Sequence, residues 1–408
     1  MSAPRVIVTD AARASAVSII RSIGRRGAHV IAADSLQRSP GFYSRFAAER
    51  LLYPQASEHP AAAVEVLHRA AIERDVDLII PVTDDLVVPL SEARDRFDGI
   101  CKLAIAEPEA LAATRDKAAT LELARSLGVP APRTALVTTA EEARREAASL
   151  GWPVVLKPQA SRVYGADHAT LEALSVTYSG GFARLDERMR LFEGVCPVLL
   201  QEYTTGEAFG VELLMDRGRP VAAFQHRRLR EVPVTGGASS YRESVRLDPE
   251  LYDYAVRMLQ ALEWTGLAMV EFKTGPNGPW LMEINGRVWG SLPLAIRSGM
   301  DFPAALLDLY LGSASGNGTG AGPNTDYEIG VRARNLELEV VWIGSVLRGK
   351  RRFPFLPIPP RRAAFAAAAG LVSGKDSFDM VDPEDPKPAL YDLGRIANTV
   401  RRKVGGGD

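Results

Sequence analysis

Cysteine and net charge are both scarce in this chain of 408 residues. The two cysteines, Cys101 and Cys196, lie far apart and match no metal-binding spacing, which predicts buried thiols and a reducing compartment. Basic and acidic residues number 49 and 50, so no overall field favours nucleic acid or an anionic membrane as the main partner.

Long apolar runs are also absent. No segment approaches the ~20 residues needed to span a bilayer, and the N-terminus leads directly into a predicted strand without the apolar core of a signal peptide. The sequence therefore predicts a cytoplasmic protein without membrane contact. A Gly-x-Gly-x-x-Gly pattern does not follow that first strand, which argues against a dinucleotide site there.

Lysine is rare enough for its positions to be informative. Arginine outnumbers lysine 41 to 8, and only Lys117, Lys157 and Lys273 fall between residues 103 and 349. A lysine is a compact point charge that reaches phosphate oxygens without the fork geometry of arginine. We therefore expect the lysines of this stretch to have specific roles.

The first ~110 residues alternate between strand and helix patterns, which predicts a small open α/β sheet. Ligands of such sheets bind beyond the carboxyl ends of the strands. Thr83, Asp84 and Asp85 follow the predicted strand 77–81 and are candidates for a substrate wall, with loop capping as the alternative.

The rest of the chain reads as an α+β section followed by a less regular end. The α+β section starts near Thr114, and a glycine-rich linker closes it near residue 312. Beyond the linker, a solvated loop is the favoured interpretation of the basic run 348–355, with a membrane surface or a partner as the alternative. Composition predicts poor order for residues 383–388 and 405–407.

The segment from residue 268 to residue 285 predicts a β-hairpin, because apolar and polar residues alternate on both sides of a turn centred on Asn277. In this register Glu271 lies opposite Glu283, with Asn285 on the same face. Like charges that pair across a sheet are destabilising unless a cation lies between them, and two carboxylates with an amide carbonyl suit Mg²⁺. Arg287 adds a fixed cation nearby. An ordinary hairpin with one solvated face is the alternative.

Several short motifs then follow in an order that resembles the ATP-grasp superfamily. They are Asp116-Lys117, Val155–Pro158, Gln201–Tyr203 with Gly206-Glu207, Glu271, and Met282–Arg287. The resemblance covers roughly residues 1 to 312. It implies an α/β and α+β chain, in which an N-terminal open α/β domain (1–112) precedes a two-lobed ATP-grasp domain (113–312, with lobes 113–198 and 199–312). A linker (313–324) and a C-terminal extension of unassigned role (325–408) complete the division.

The resemblance also implies roles for individual residues. Lys117 and Lys157 would contact the phosphates of ATP, Glu202 and the backbone of Tyr203 the adenine, and Glu207 the ribose. Glu271, Glu283 and Asn285 would hold Mg²⁺ or Mn²⁺. Three arginines would lie at the acceptor and the γ-phosphate: Arg287, Arg227 and Arg228, the last two with a surface strand as the alternative.

One segment departs from the family pattern. ATP-grasp proteins cover the triphosphate with a glycine-rich loop after the strand that carries Lys157, whereas residues 159–165 contain only Gly165. Ser161 and Arg162 are the candidates to replace backbone amides as phosphate contacts. The departure leaves open whether the site turns over at the usual rate.

The function implied is that of an ATP-dependent carboxylate–amine ligase. Such an enzyme activates a carboxylate as an acyl phosphate, which an amine then attacks. Its partners are small-molecule carboxylate and amine substrates rather than nucleic acid, and a homodimer is left open. Two alternatives remain at this point: activation of bicarbonate or carbamate as in carbamoyl-phosphate synthase, and a non-catalytic nucleotide-binding regulator.

Overall fold

The N-terminal part of the chain folds into a parallel sheet of five strands. The computed structural model describes residues 3–165, 170–312, 322–349 and 353–405. Its first elements are β1 (Arg5–Val8), α1 (Ala14–Arg25), β2 (His29–Asp34), β3 (Ala47–Leu52), α2 (Pro60–Glu73), β4 (Leu78–Ile80), α3 (Asp84–Glu92), β5 (Lys102–Leu103) and α4 (Pro108–Arg115). The strand order is β3-β2-β1-β4-β5. Ile7 and its neighbour Val8 belong to different buried clusters, so both faces of the sheet are covered, as a parallel sheet requires.

The next part forms a smaller antiparallel sheet. Its elements are α5 (Lys117–Ser126), β6 (Thr134–Val137), α6 (Ala140–Leu150), β7 (Val154–Pro158), β8 (Arg162–Tyr164), β9 (Leu171–Ala173), β10 (Thr177–Ser179), α7 (Phe182–Met189) and β11 (Val198–Glu202). The sheet order is β10-β7-β11-β6, while β8 and β9 form a separate pair. Because β11 pairs with both β6 and β7, the predicted division between lobes at residue 198 is too early. The first lobe extends through Glu202.

A second, larger sheet carries the predicted hairpin. The elements that follow are β12 (Glu207–Asp216), β13 (Arg219–Val232), β14 (Ala238–Ser244), α8 (Pro249–Ala261), β15 (Gly266–Gly275), β16 (Gly278–Asn285), α9 (Leu292–Arg297) and α10 (Phe302–Leu311). The last elements are β17 (Arg332–Arg334), α11 (Leu336–Arg348), α12 (Arg361–Leu371), β18 (Ser377–Phe378) and α13 (Lys387–Gly405). The sheet has seven strands in the order β16-β15-β12-β13-β14-β17-β18.

The C-terminal extension completes this sheet instead of standing apart from it. Strand β17 pairs with β14, and β18 pairs with β17. Glu339 on α11 is fully buried and accepts hydrogen bonds from Arg334 Nη1 (2.6 Å) and Ser240 Oγ (2.9 Å). The contacts of β17, β18 and α11 therefore integrate these elements into the same packed unit as the hairpin.

The predicted poor order of residues 383–388 is wrong. Asp385 is 1% exposed and accepts hydrogen bonds from Arg21 Nε (2.9 Å), Ser44 Oγ (2.7 Å) and the Arg45 backbone N–H (2.8 Å). A buried carboxylate with a charged partner and two further donors is a fixed feature of the fold. This contact fastens the segment before α13 to α1 and to the loop after β2.

Three other predictions fall wholly or partly outside the described residues. They concern most of the linker (313–321), the centre of the basic run (350–352) and two of the three tail residues predicted to be poorly ordered (406–407). Among the helices that the structure describes, none combines the length and the apolar character needed to cross a bilayer.

The Asp385 contact makes a prediction about stability. Asp385→Ala leaves the buried Arg21 guanidinium without its main counter-ion, so we expect the free energy of unfolding to fall by about 3 kcal/mol or more. Glu384 is the matched control, because its side chain is 65% exposed and pairs with the exposed Arg25. Glu384→Ala is expected to cost about 1 kcal/mol or less. Urea unfolding of both variants measures the difference, and equal losses would contradict this role of Asp385.

Candidate active site

The hairpin places three oxygen-bearing side chains on one face of the large sheet. Strands β15 and β16 pair with Glu271 opposite Glu283 and with Met269 opposite Asn285. The sequence predicts this pairing of the two carboxylates, but a register shift between Glu271 and Phe272 moves the pairs nearer the turn by one residue. The Asn285 amide nitrogen donates to Glu271 Oε1 (2.9 Å) and to Glu283 Oε1 (3.5 Å), so the three side chains converge.

Arg228, on strand β13 of the same sheet, balances the negative charge of this group. It forms an ion pair with Glu271, and its Nη1 lies 3.2 Å from Glu231 Oε1. Burial raises the pKa of Glu271 above its ordinary value, the Arg228 charge opposes that rise, and the negative charge of Glu283 adds to it. The carboxylate pair is thus held in an environment that a further cation would stabilise.

Two scarce lysines approach the carboxylates from the smaller sheet. Asp116 caps α5 by accepting from the backbone N–H groups of Ala118 (2.8 Å) and Ala119 (3.2 Å), which fixes Lys117 at the first helical position. Lys117 Nζ then donates to Ser161 Oγ (2.7 Å). Lys157 lies on β7, and both lysines line a small cavity of about 60 Å³ together with Glu283.

The electrostatics of Lys157 reflect this crowding. Desolvation lowers the pKa of Lys157 to about 8, the charge of Glu283 opposes the decrease, and the positive charges of Lys117 and Lys273 add to it. Lys273 is the third scarce lysine, and sequence reasoning assigned it no role although its rarity was a signal. All three lysines therefore contribute positive charge to the same cleft.

Arg287 connects the hairpin with the N-terminal sheet. Its Nε donates to Asp84 Oδ2 (3.0 Å) at the start of α3, and its Nη2 donates to Asn285 Oδ1 (3.3 Å). Thr83 and Asp85 line the same large cavity as Arg287, and Asp84 lines the small one. The carboxyl end of β4 thus faces the cleft, where the sequence predicts a substrate wall.

The pair β8–β9, which follows the strand of Lys157, docks on the N-terminal part. Arg162 Nε donates to Asp85 Oδ1 (2.6 Å), and the Leu171 backbone N–H donates to Ser57 O (2.7 Å). Arg162 is therefore held by Asp85. Ser161, which lies beside Lys117, is the residue of this segment that faces the lysines.

Other predicted site residues lie apart from this group. Glu202 accepts from the backbone N–H and the Nε of Arg133, both at 2.8 Å. The ring centroid of Tyr203 lies 5.9 Å from Lys273 Nζ. Glu207 is exposed and accepts from Arg227 Nη1 (3.1 Å). Among the described residues that line the two cavities above, Glu202, Tyr203 and Glu207 are absent.

Arg227 and Arg228 point to opposite sides of β13, because neighbouring residues of a strand alternate between its faces. Arg228 contacts Glu271, whereas Arg227 contacts Glu243 (2.9 Å) and Glu207. The two arginines that the sequence grouped together therefore have different surroundings, and only Arg228 lies with the carboxylate pair.

A large cavity of about 1060 Å³ lies between the N-terminal sheet, the seven-stranded sheet and the C-terminal segment. Its charged end contains Lys157, Arg228, Glu271 and Arg287. Its far side is lined by residues of α13 and of the loop after β18. Sequence reasoning assigned no role to this C-terminal wall, and no motif marks it.

The donor set fits a hard divalent cation. Glu271 and Glu283 bring carboxylate oxygens together, which are ligands that Mg²⁺ prefers, while the Asn285 amide oxygen accepts from Arg287 (3.3 Å). Within the described parts of the chain, no group of three or more His, Cys, Asp or Glu side chains forms a metal site by itself. A cation at this hairpin would thus need further oxygens from a ligand, as a phosphate-bound Mg²⁺ does.

Comparisons with known proteins agree with this geometry. A family model described as "ATP-grasp in the biosynthetic pathway with Ter operon" matches residues 195–335, which include the hairpin and Arg228. A D-alanine–D-alanine ligase of Ectopseudomonas mendocina is 27% identical over 228 residues, covering 51% of this chain and 68% of that ligase. The chain spans only 32% and 22% of two other curated relatives that it matches.

Two solved structures share the fold. Biotin carboxylase from Campylobacter jejuni, in a complex with β,γ-ATP, superposes with a TM-score of 0.63 at 18% identity, covering 81% of this chain and 74% of that one. N5-carboxyaminoimidazole synthetase from Staphylococcus aureus, complexed with ADP, has a TM-score of 0.62 at 14% identity, covering 87% of both chains. At these identities the likeness establishes the fold alone.

The lowered pKa of Lys157 predicts a pH dependence of nucleotide binding. Anionic phosphates favour the charged form of this lysine, so we expect the affinity for Mg-ATP to be constant below about pH 8 and to fall up to tenfold per pH unit above it. Lys157→Arg keeps its charge and is expected to flatten the profile. Calorimetric titrations between about pH 7.5 and 9.5 test this expectation, and parallel profiles for the two proteins would contradict it.

Proposed function

Because the chain belongs to the ATP-grasp superfamily, as its motifs predict, we propose that it is an ATP-dependent ligase that joins a carboxylate to an amine. The observation that carries this proposal is the meeting of opposite charges in one cleft. A carboxylate pair lies on the large sheet, and lysines face it from the small sheet. This is the arrangement that a metal-bound polyphosphate needs, because the cation and the phosphates require opposite partners.

Each residue group has a physical role in this proposal. Lys117, at the start of α5, and Lys157, on β7 of the small sheet, bind the phosphates as point charges. Glu271, Glu283 and Asn285 hold Mg²⁺ or Mn²⁺, which when bound neutralises charge on the transferring phosphoryl group.

Arg228 keeps Glu271 ionised by pairing with it. Arg287 lies beside Asn285 and binds the acceptor carboxylate, where charge increases as the acyl phosphate forms.

The reaction has two balanced steps. A carboxylate oxygen attacks the γ-phosphorus of ATP and ADP leaves; the amine nitrogen then attacks the acyl carbon and phosphate leaves. The protein contributes position and charge stabilisation rather than a covalent link. The description of the matched family model supports a biosynthetic role. Cytoplasmic location, the homodimer, and the ribose and adenine contacts of Glu207, Glu202 and Tyr203 stay predictions.

The first test of the proposal uses Glu283→Gln. The variant keeps the shape of the side chain but removes one charge from the metal site, so Mg-ATP should still raise the melting temperature at a higher concentration. ADP release that depends on carboxylate and amine acceptors should fall by about 10²-fold or more. If the wild type binds Mg-ATP but releases no acceptor-dependent ADP across a broad panel, the non-catalytic alternative holds instead. ADP release that depends on bicarbonate favours the other alternative, activation of bicarbonate or carbamate.

The second test compares the neighbouring residues Arg228 and Arg227. Arg228→Gln removes the charge that balances Glu271, so we expect acceptor-dependent ADP release to fall by about 10²-fold and the Mg²⁺ requirement to rise. Arg227→Gln removes a contact on the opposite face and should leave the rate within about threefold of the wild type. Equal losses in both variants would remove Arg228 from the active site.

A further inference from the structure

Four large apolar side chains that line the cavity are exposed: Val176 (42%) in the loop after β9, and three others from the loop after β2 and the C-terminal segment. Leu36 is 48% exposed, Val381 47% and Leu393 47%. They come from separate segments: the loop after β2, the loop after β18, and helix α13. Single exposed apolar residues are common, but three from distant segments that line one cavity indicate a surface that a ligand covers.

Buried packing fixes this part of the wall. Met380 and Ala389 pack with Val17 and Ala14 of α1 in a small apolar cluster. Leu393 lies one helical turn after Ala389, and Val381 directly follows Met380. The half-exposed side chains are therefore extensions of a packed cluster and hold defined positions.

The C-terminal segment is held in place from two further sides. Arg297 Nη2 on α9 donates to the carbonyl of Phe378 (2.7 Å), and the ring of Tyr391 stacks on Tyr43 with 3.3 Å between centroids. With the buried Asp385 contact, these interactions fasten residues 378–391 to both the N-terminal sheet and the helices after the hairpin. A wall fixed in this way can select a ligand by shape.

The apolar wall and the reaction centre belong to the same cavity. Lys157, Glu283 and Arg287 line the same cavity as Leu36, Val381 and Leu393. The charged groups next to Leu393 form ion pairs with one another, since Arg395 contacts Asp392 (2.8 Å) and Glu337 (2.6 Å). A ligand that contacts both sets of residues therefore presents a charged reactive group to the first set and an apolar group to the second.

We propose that residues 378–393 form the wall that selects the acceptor, and that the acceptor substrate carries an apolar side chain. This inference rests on the proposed ligase function and assigns a role to the C-terminal extension. Because burying one methylene group in such a surface raises affinity about threefold to fourfold, the wall would discriminate by chain length.

The experiment uses a graded series of L-amino acids: glycine, alanine, norvaline and norleucine. Each carries the amine and the carboxylate that the proposed reaction uses, and the series differs only in apolar length. With wild-type full-length chain and saturating Mg-ATP, we expect kcat/KM for ADP release to rise about threefold per methylene, mainly through KM.

Leu393→Asp places a charge in the wall and is expected to abolish this dependence on length. Leu390→Asp is the matched control, because Leu390 lies on the same helix, is 64% exposed, and is absent from the described residues that line the cavity. It should keep the wild-type slope. The thermal shift with Mg-ATP should be unchanged in both variants, which separates loss of the wall from misfolding.

Equilibrium binding of the same series separates this inference from the proposed function. If norleucine binds the Mg-ATP-saturated wild type no more tightly than glycine, or if Leu393→Asp and Leu390→Asp show the same slope, the apolar wall is overturned. No binding or turnover by any member would overturn it as well. Length-dependent binding that Leu393→Asp abolishes, without any ADP release, would support the wall and reject the ligase reaction.

Discussion

The pairing of Glu271 with Glu283 is the constraint on which the site depends. Two carboxylates that face each other across neighbouring strands repel, and burial makes this repulsion more costly. Two contacts of Glu271 offset this repulsion: the ion pair with Arg228 and the hydrogen bond that the Asn285 amide nitrogen donates. Lys157 approaches from the opposite sheet. The small sheet must therefore stay close to the hairpin, and the resulting cleft is where a nucleotide with its cation would be stabilised.

Helix α3 joins the separate parts of this cleft through two consecutive carboxylates. Asp84 accepts from Arg287, which belongs to the hairpin end, and Asp85 accepts from Arg162, which belongs to the β8–β9 pair. Acidic residues are favourable in the first turn of a helix because they interact with its dipole, so both positions suit the helix as well as the contacts. The start of α3 thus helps to fix the geometry of the site. The N-cap residue Thr83 forms no side-chain capping bond, because its hydroxyl donates to Asp10 Oδ1 (3.1 Å) instead.

Local pattern predicted much of the fold and part of the site. The hairpin register followed from residue alternation around one turn, and the scarcity of lysine pointed to the positions that face the carboxylates. Contacts between distant segments were not predictable, because they depend on three-dimensional packing. Asp385 lies 364 residues from Arg21 in the chain, and its segment is rich in proline, so composition predicted poor order where the fold buries a carboxylate. The sequence grouped Arg227 with Arg228 because they are adjacent in one motif. In a β-strand, however, adjacent side chains point to opposite faces of the sheet.

The charged groups of the site and the apolar wall of the cavity lie in different parts of the chain. The charged groups proposed to bind a nucleotide and its metal lie on and beside the four-stranded and seven-stranded sheets, where short motifs mark them. The apolar wall comes from the loop after β2 and from the C-terminal segment, whose strands β17 and β18 extend the same sheet that carries Glu271. Because Arg242 on β14 forms an ion pair with the buried Asp379, the segment after β18 is tied to the sheet that carries Glu271. Apolar side chains such as Leu393 can change without disturbing the charge balance at the hairpin, so acceptor choice can vary while the phosphate chemistry is retained.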